Sequence, residues 1–586
     1  MAETPSRNQK SRKIVEEIRE KVENYESNMG NFLSDYNSWA EIFKVRRASD
    51  RVDKKDGGDT RPRLTEMFRA VNALASMELR MLTASDPFFY LAPMDVLGDK
   101  RSLQVIEDTL VTQLEASEYK RHLFKALVSR NLFGSVFVEE PFELLNLTAH
   151  GRKMPATLFR PRSMLQVSFD RSALDLDTSD WVGLSDIMTR NRLKSLAAQD
   201  DEDKASIWFK SAVAAAVADK SEPDINSYVQ ARLNMSGYRS SDEQRNAVEV
   251  VTYYGKLDTL GDGLEYVAAI VNRKYLVRFH ANTFQHGKRP VRMAHWFEFE
   301  LEPLGLGLGQ LLTPLHKSMD ANRRRLQDSI AFDTYGIWIY NRLGGINPNS
   351  FKVRPNTIVE SDDTNAIKRV ESNTPGASQA IKLEEILQNE FRTTSGATST
   401  LQAIITEATA SEVSLAQNEA VRNVAIRAEL AADQLIRKHL EVMHSNNMQN
   451  VVEPFNINVR GRPRRVYPSD LWADVDFRIR VTTDKDFRPE RLKKLLEFLQ
   501  IATSIRNEHP QKFNINIVPV VREIGHMLGV SDSDIIQEQP IGVQSGLSGL
   551  AGLEDGGMPM GLPEAASALP TAGLFQTPVG PVLGSL

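Results

Sequence analysis

Residues 295–341, HWFEFELEPLGLGLGQLLTPLHKSMDANRRRLQDSIAFDTYGIWIYN, decide how this chain is read. An aromatic strand ends in a turn, Gly305, Gly307 and Gly309 lead into a helix of about 25 residues, and the β-prone GIWIY follows. Leu308, Leu311, Leu312, Leu315, Met319, Leu326 and Ile330 recur at helical spacing on one side, while Lys317, Asp320, Arg323, Arg324 and Asp328 fall largely elsewhere. Such a helix has one apolar face and one charged face.

Upstream of this stretch, between Ala247 and Glu300, run VEVVTYYGKL, LEYVAAIVNRKYLVRF and VRMAHWFEFE, with Gly261-Asp262-Gly263 as a hairpin turn. Together they predict an antiparallel meander. Residues 10–45 have the spacing of an amphipathic surface helix (Ile14, Ile18, Val22, Tyr25), and 46–63 form a charged loop. LTEMFRAVNALASMELRML reads as a buried helix closed at Ser85-Asp86-Pro87, and helices over 99–118 and 119–131 precede Gly134 and the strand SVFVEE. FRPRSMLQVSFD (159–170) reads as strand, and 184–218 as helices interrupted by Asp200-Asp201-Glu202-Asp203. Four unsupported carboxylates in a charged loop suit a solvated turn better than a cation site.

Downstream, GIWIYN, FKVRPNTIVE and AIKRVE make a small β-like and loop-like module flanked by helix on both sides. Helix resumes at Ala377, breaks at Thr393–Gly396 and continues from Ser411 to about Ser445; at about 1.5 Å per residue this last piece is roughly 50 Å long. Val413, Ala420, Val424, Ala428, Ala431, Leu435 and Val442 form its stripe. Residues 455–483 return to β around Arg460-Gly461-Arg462-Pro463-Arg464-Arg465, whose arginines either meet phosphates or solvate a hairpin loop. Helices follow over 489–506 and 517–528. Residues 531–586 hold 10 Gly, 6 Pro, six acidic residues and no Lys or Arg, the composition of a disordered acidic tail.

At 586 residues the chain is too long for one core, and at 41% hydrophobic and 25% charged it has ordinary globular composition. No apolar run reaches the about 20 residues that span a bilayer, and MAETPSRNQKSRK lacks the apolar centre of a secretory signal, so the protein is expected to stay in the cytoplasm where it is made. Zero cysteine removes disulfides, thiolate metal sites and cysteine nucleophiles together. A net charge of -5 argues against a protein that coats nucleic acid, though not against one that nucleic acid passes through.

The usual catalytic constellations are missing. Glycines 305, 307 and 309 are spaced G-x-G-x-G with Gln310 following, so the dinucleotide fingerprint fails. GxxxxGK[ST], HExxH, GxSxG and an EF-hand loop do not occur. His280, His286 and His295 match no standard zinc spacing and have no thiolate partner, so ordinary histidines are expected there. Asp and Glu are abundant, and a fold can bring any pair together. An enzyme of nucleic-acid processing with an unrecognised active site therefore stands as the competing reading.

A β-rich region ending in a glycine turn, an amphipathic helix, a small β insertion, a second helix with a Ser/Thr/Gly break, and a very long helix: this order resembles the portal (head-to-tail connector) proteins of tailed bacteriophages. GLGLGQLLTPLHKSMDANRRRLQDSI (305–330) stands where such portals carry a G-x-G…L…L…(I/M)(N/D)…R helix. FRTTSGATSTLQ followed by TEATASE (391–412) is similar to the Thr/Gly/Ala-rich turn before their long helix. The resemblance covers 250–530 well and the first 250 residues only by general pattern.

It implies an α+β portal architecture with an α/β wing, helical stem, small β-containing clip, long wing helix and helical crown. On this chain it implies an arm at 1–22, wing at 23–305, first stem helix at 306–332, clip at 333–376 and second stem helix at 377–392. A tunnel loop at 393–410, long wing helix at 411–448, returning wing strands at 449–486, crown at 487–530 and the tail at 531–586 complete it. Lys317, Arg323, Arg324 and Arg325 become candidate channel charges, or else ion-pair partners of Asp320 and Asp328. Thr393, Thr394, Ser395, Gly396 and Thr398 become the candidate tunnel loop, and Trp338, Lys352 and Arg354 the candidate clip. No catalytic residue, cofactor or metal is implied.

The partners implied are copies of the chain in a ring of characteristically twelve subunits, and double-stranded DNA in the channel. Beyond these are the terminase motor, the major capsid or scaffolding protein and neck or tail adaptor proteins, with no membrane. The implied place is a capsid vertex of the virion, after synthesis in the bacterial cytoplasm, and the length leans toward a short-tailed, podovirus-like phage. An acidic conduit repels phosphates and keeps DNA mobile, which suits the net charge.

Overall fold

Ile14, Ile18, Val22 and Tyr25 recur every three to four residues, and that stripe decides where the N-terminal helices lie. In the computed structural model, the described residues are 7–45, 64–85, 87–94, 100–146, 153–198, 208–219, 227–236, 246–284, 287–300, 302–335, 337–340, 367–370, 375–396, 423–459, 462–479, 481 and 495–504. α1 (Arg7–Asn28) and α2 (Gly30–Phe43) take the place of the one expected helix. α1 runs unbroken through position 22, and its stripe is buried against a sheet together with Phe169, Val182, Val251 and Tyr253. The expected loop at 46–63 lies outside the described residues.

α3 (Glu66–Thr83), α4 (Lys100–Ala116) and α5 (Tyr119–Phe133) form as the pattern predicts, with β1 (Phe89–Pro93) between the first two. Gly134, at φ 85, ends α5 in the left-handed region that glycine tolerates, and its N–H caps Arg130 O. β2 (Ser135–Glu139) follows, then β3 (Phe142–Asn146), β4 (Lys153–Thr157), β5 (Arg160–Arg162) and β6 (Val167–Phe169). The expected continuous strand at 159–170 is broken by a 3-10 turn at Met164–Gln166, where Ser163 and Gln166 form a capping box.

The expectation of helix from 184 is corrected for its first residues. β7 (Trp181–Thr189) is a strand with Trp181–Ser185 all buried, and helix begins only at α6 (Arg190–Ala198), followed by α7 (Lys210–Ala218) and α8 (Ser227–Ser236). Asp200–Asp203 lie outside the described residues. β8 (Ala247–Lys256), β9 (Glu265–Val271) and β10 (Tyr275–Ala281) form the expected meander, in a five-stranded antiparallel sheet ordered β10-β9-β8-β7-β6. The third run of that region departs from it: β11 (Val291–His295) leaves the meander and pairs with β2, Val291 opposite Glu139 and His295 opposite Ser135.

After α9 (Leu308–Tyr335) come β12 (Ile337–Tyr340), β13 (Ile367–Val370) and α10 (Pro375–Ser395). Residues 423–450 form α11, with a π-helical turn at Ala432–Arg437, and 411–422 lie outside the described residues. β14 (Phe455–Val459) pairs with β15 (Arg462–Val466), and β16 (Val475–Ile479) returns to pair with β1, Phe89 opposite Ile479. The class is α+β. One core joins α3, α4 and α5 to the first half of α9 and the stripe of α11, through Leu74, Leu123, Leu312, Ala428 and Leu435. Beyond Arg491, residues 495–504 are described, as helix, in a unit separate from Met1–Arg491.

Buried charge is paired. Glu26 of α1, Arg232 of α8, Glu249 of β8 and Arg273 of the β9–β10 turn interlock, with Arg232 2.7 Å from both carboxylates and Arg273 2.8 Å from Glu26. That turn carries Asn272 and Arg273 at φ 47 and 57, the left-handed pair of a tight hairpin.

Candidate functional site

The strand-to-helix turn is where the fold concentrates its constraints. Trp296 N donates to Gly134 O at 2.8 Å, Leu306 N to Phe297 O at 2.9 Å and Gly305 N to Ser135 Oγ at 2.8 Å. The glycines are there because the backbone lies directly on the end of α5. A Cβ on Gly307 would stand 2.2 Å from Gly134 N, and one on Gly309 2.7 Å from Leu132 O. The loop is a seam between two stretches of backbone, which is why its spacing matches no phosphate loop.

Beyond the seam α9 enters the core with Leu308, Leu312 and Met319 fully buried. Burial then fades. Asn322 is the last buried side chain described on α9, Leu311 and Ile330 of the expected apolar face are exposed, and on α10 no described side chain before Phe391 is buried. The expected stripe is thus a buried face only in its first half.

α9 and α10 pack antiparallel. His316 lies beside Phe391 with ring centroids 6.5 Å apart, Asn322 Nδ2 donates to Ala380 O at 2.9 Å, and Arg323 Nε donates to Glu384 Oε1 at 2.6 Å. At the far end the pair continues into a two-stranded ribbon, Ile337 opposite Val370 and Trp338 opposite Arg369. Helix runs to Tyr335 instead of 332, and restarts at Pro375 instead of 377.

The candidate channel charges separate into two kinds. Arg323 is bound to Glu384 of α10, and Arg324 to Asp320 one turn back. Lys317 and Arg325 are exposed and make no ion pair among the described residues. The side chain of Asp328 lies outside the described residues. Thr393, Thr394 and Ser395 belong to the last turn of α10 and not to a loop; Thr393 Oγ1 donates to Asn389 O at 2.8 Å and Ser395 Oγ to Arg392 O at 2.9 Å. Gly396, at φ 66, is where the helix ends. Thr398, Lys352 and Arg354 lie outside the described residues, whereas Trp338 is in β12.

The remaining candidates are held by protein groups. His295 Nδ1 and Ser135 Oγ are 2.8 Å apart, Arg278 Nε donates to His280 Nε2 at 3.0 Å, and His286 lies outside the described residues. Among the described residues no group of His and carboxylates has the geometry to hold a metal ion, and no helix is long and apolar enough to cross a membrane. Arg464 pairs with Asp108 at 3.1 Å and Arg465 lies over the Tyr467 ring at 5.6 Å, while Arg460 is outside the described residues.

The contact of α11 with this turn has no counterpart in the local sequence pattern. The π turn brings Gln434 to the end of β11: its Oε1 accepts from His295 N at 3.0 Å, its Nε2 donates to Glu298 at 2.9 Å, and its carbonyl accepts from Arg292 at 2.9 Å. Arg292 also holds Glu140, Nε to Oε2 2.7 Å, and the other carboxylate oxygen meets His439 Nδ1. Burial pushes the Glu140 carboxyl up, but Arg292 and His439 outweigh it and hold it at about 2. His439 is pushed below its usual value by burial, against the pull of Glu140. One signal was available: Arg292 interrupts the apolar run of its strand.

Against models of known protein families, residues 104–539 match the one described as Phage SU10 portal protein. That span holds β2, the glycine seam, the helical pair with its ribbon, and the π turn. Comparison with curated proteins gives no match.

Proposed function

The chain belongs to the phage SU10 portal protein family, and from that premise we propose that it closes into a ring around a central channel through which double-stranded DNA enters and leaves the capsid. Portal proteins are structural and not enzymes, and membership assigns this chain a connector role at a capsid vertex in DNA packaging. In this reading α9 and α10 are the stem, the ribbon with the chain between its strands is the clip that docks the terminase motor, and the chain after Gly396 is the tunnel loop. Neck or tail adaptors meet the same end of the ring after packaging. The elements before α9, together with α11 and β14–β16, make the wing, and 487–530 the crown.

The observation that carries the reading is the distal half of the α9–α10 pair. It stands clear of the core with Ile381 51% and Ile386 61% exposed, an arrangement that a lone subunit gains nothing from and that neighbours on both sides would cover. Sedimentation of the purified chain tests it. Rings sediment as one species many times the 65.8 kDa subunit; a chain that stays monomeric at micromolar concentration overturns the proposal.

A further inference from the structure

The two outer faces of the helical pair differ in charge and in side-chain size. On the side of α9 turned away from α10 stand Lys317, Ala321, Arg324 and Arg325, all exposed. On the side of α10 turned away from α9 stand Lys382, Ile386 and Asn389, with Glu385 and Glu390 at its two flanks, again all exposed. Lys317 and Arg325 on the first face, and Glu385 and Glu390 on the second, make no ion pair among the described residues. The faces point in opposite directions, so they cannot satisfy each other within one chain.

We propose that they meet between neighbouring copies, α9 of one subunit against α10 of the next, with Lys317 opposite Glu390 and Ala321 opposite Ile386. The proposal rests on the ring reading above. Its register follows from the helical pair itself. His316 lies beside Phe391 and Arg323 beside Glu384, so position 317 is level with 390 and position 321 with 386. Copies in a closed ring are related by rotation without rise, and for helices running along the ring axis groups at one level face each other. A face of one kind on α9 and of another on α10 is what a head-to-tail contact requires.

The chemistry at each level fits. Lys317 and Glu390 are opposite charges with no ion-pair partner among the described residues, and Ile386, 61% exposed, finds in Ala321 a small side chain to pack against. Lower down, Lys382 beside Glu385 offsets the attraction for Arg325. The electrostatic preference is therefore concentrated at Lys317 and Glu390.

The absence of cysteine makes the contact directly testable. In the full chain carrying Ala321→Cys and Ile386→Cys, the two thiols lie on opposite sides of the pair, so oxidation joins only different copies. A non-reducing gel is expected to show a ladder rising to the closed ring, absent from either single-cysteine chain. Charge reversal supplies a second readout. Lys317→Glu and Glu390→Lys are each expected to raise the protein concentration for half-assembly about tenfold, by replacing an attractive pair with a repulsive one at every interface. An equal mixture of the two variants restores assembly, because each then meets its complement, and that rescue also shows that both fold. Monomer bands from chains that do form rings overturn this interface while leaving the ring reading intact, and so does parental assembly by both charge variants. A parent chain that forms no rings overturns the ring reading, and the interface with it.

Discussion

Glu140 joins three segments that are far apart in sequence: it directly follows β2, takes both Arg292 of β11 and His439 of α11, and is wholly buried. Glu140→Gln leaves Arg292 buried without its counter-charge and is expected to cost about 3–5 kcal/mol, read as a lowered urea midpoint. The pH dependence has a definite sign. His439 and Glu140 both bind protons more readily in the unfolded chain, so stability rises with pH across each window. His439 gives up its contribution as pH falls below 6.5, and Glu140 as it falls from 4.5 toward 2. A lower unfolding midpoint at pH 5 than at pH 7 is expected; an equal or higher one contradicts this account of the cluster. Gly307→Ala places a methyl group 2.2 Å from Gly134 N and is expected to destabilise by about 1–3 kcal/mol, with the shift in thermal midpoint as its measure. At this scale the sequence excluded a phosphate loop from spacing alone. The close approach that requires glycine, and the pairing of Arg323 with Glu384, depend on partners 173 and 61 residues away, and no local pattern reveals them.

Elements were legible where one face is buried continuously. The stripes of α1, of α3 and of the first half of α9 each settle their type. From Leu184 onward β7 reads as helix because WVGLSDIMT is apolar over its first half without alternation, being covered on both faces, and an apolar run of that length does not separate strand from helix. β11 was placed in the meander because sequence neighbours usually pair, yet its partner is β2. The π turn in α11 leaves no trace in the residue pattern, since it adds a single residue to one turn. Of the expected break at Thr393–Gly396 only Gly396 ends the helix; Thr393 and Ser395 bond back to it, to Asn389 and Arg392. The ribbon supplies a prediction of its own. Deleting 337–370 removes a module whose strands pair only with each other among the described residues, so the thermal midpoint of the remainder is expected to stay within about 2 °C, while binding to the terminase motor is lost. Global unfolding of the deleted chain contradicts the assignment of the ribbon as a clip.

At the scale of the whole molecule, the net charge of -5 and the family match describe a protein that handles DNA without coating it. Sequence order alone pointed to this, because the succession of glycine turn, helix, β insertion, helix and long helix survives even where single elements are misread. The fold adds the reason for assembly. One half of the helical pair is anchored by the glycine seam and the α11 contact, and the other half presents uncovered apolar and charged groups on two opposite sides. A ring is the closed arrangement that covers both sides of every copy. The most direct test of that claim is a ring-averaged electron-microscopy image of the purified, full-length chain. Closed rings with an open central channel and rod-like density from α9 and α10 around it are expected; isolated subunits, open filaments, or rings without a channel would contradict the ring.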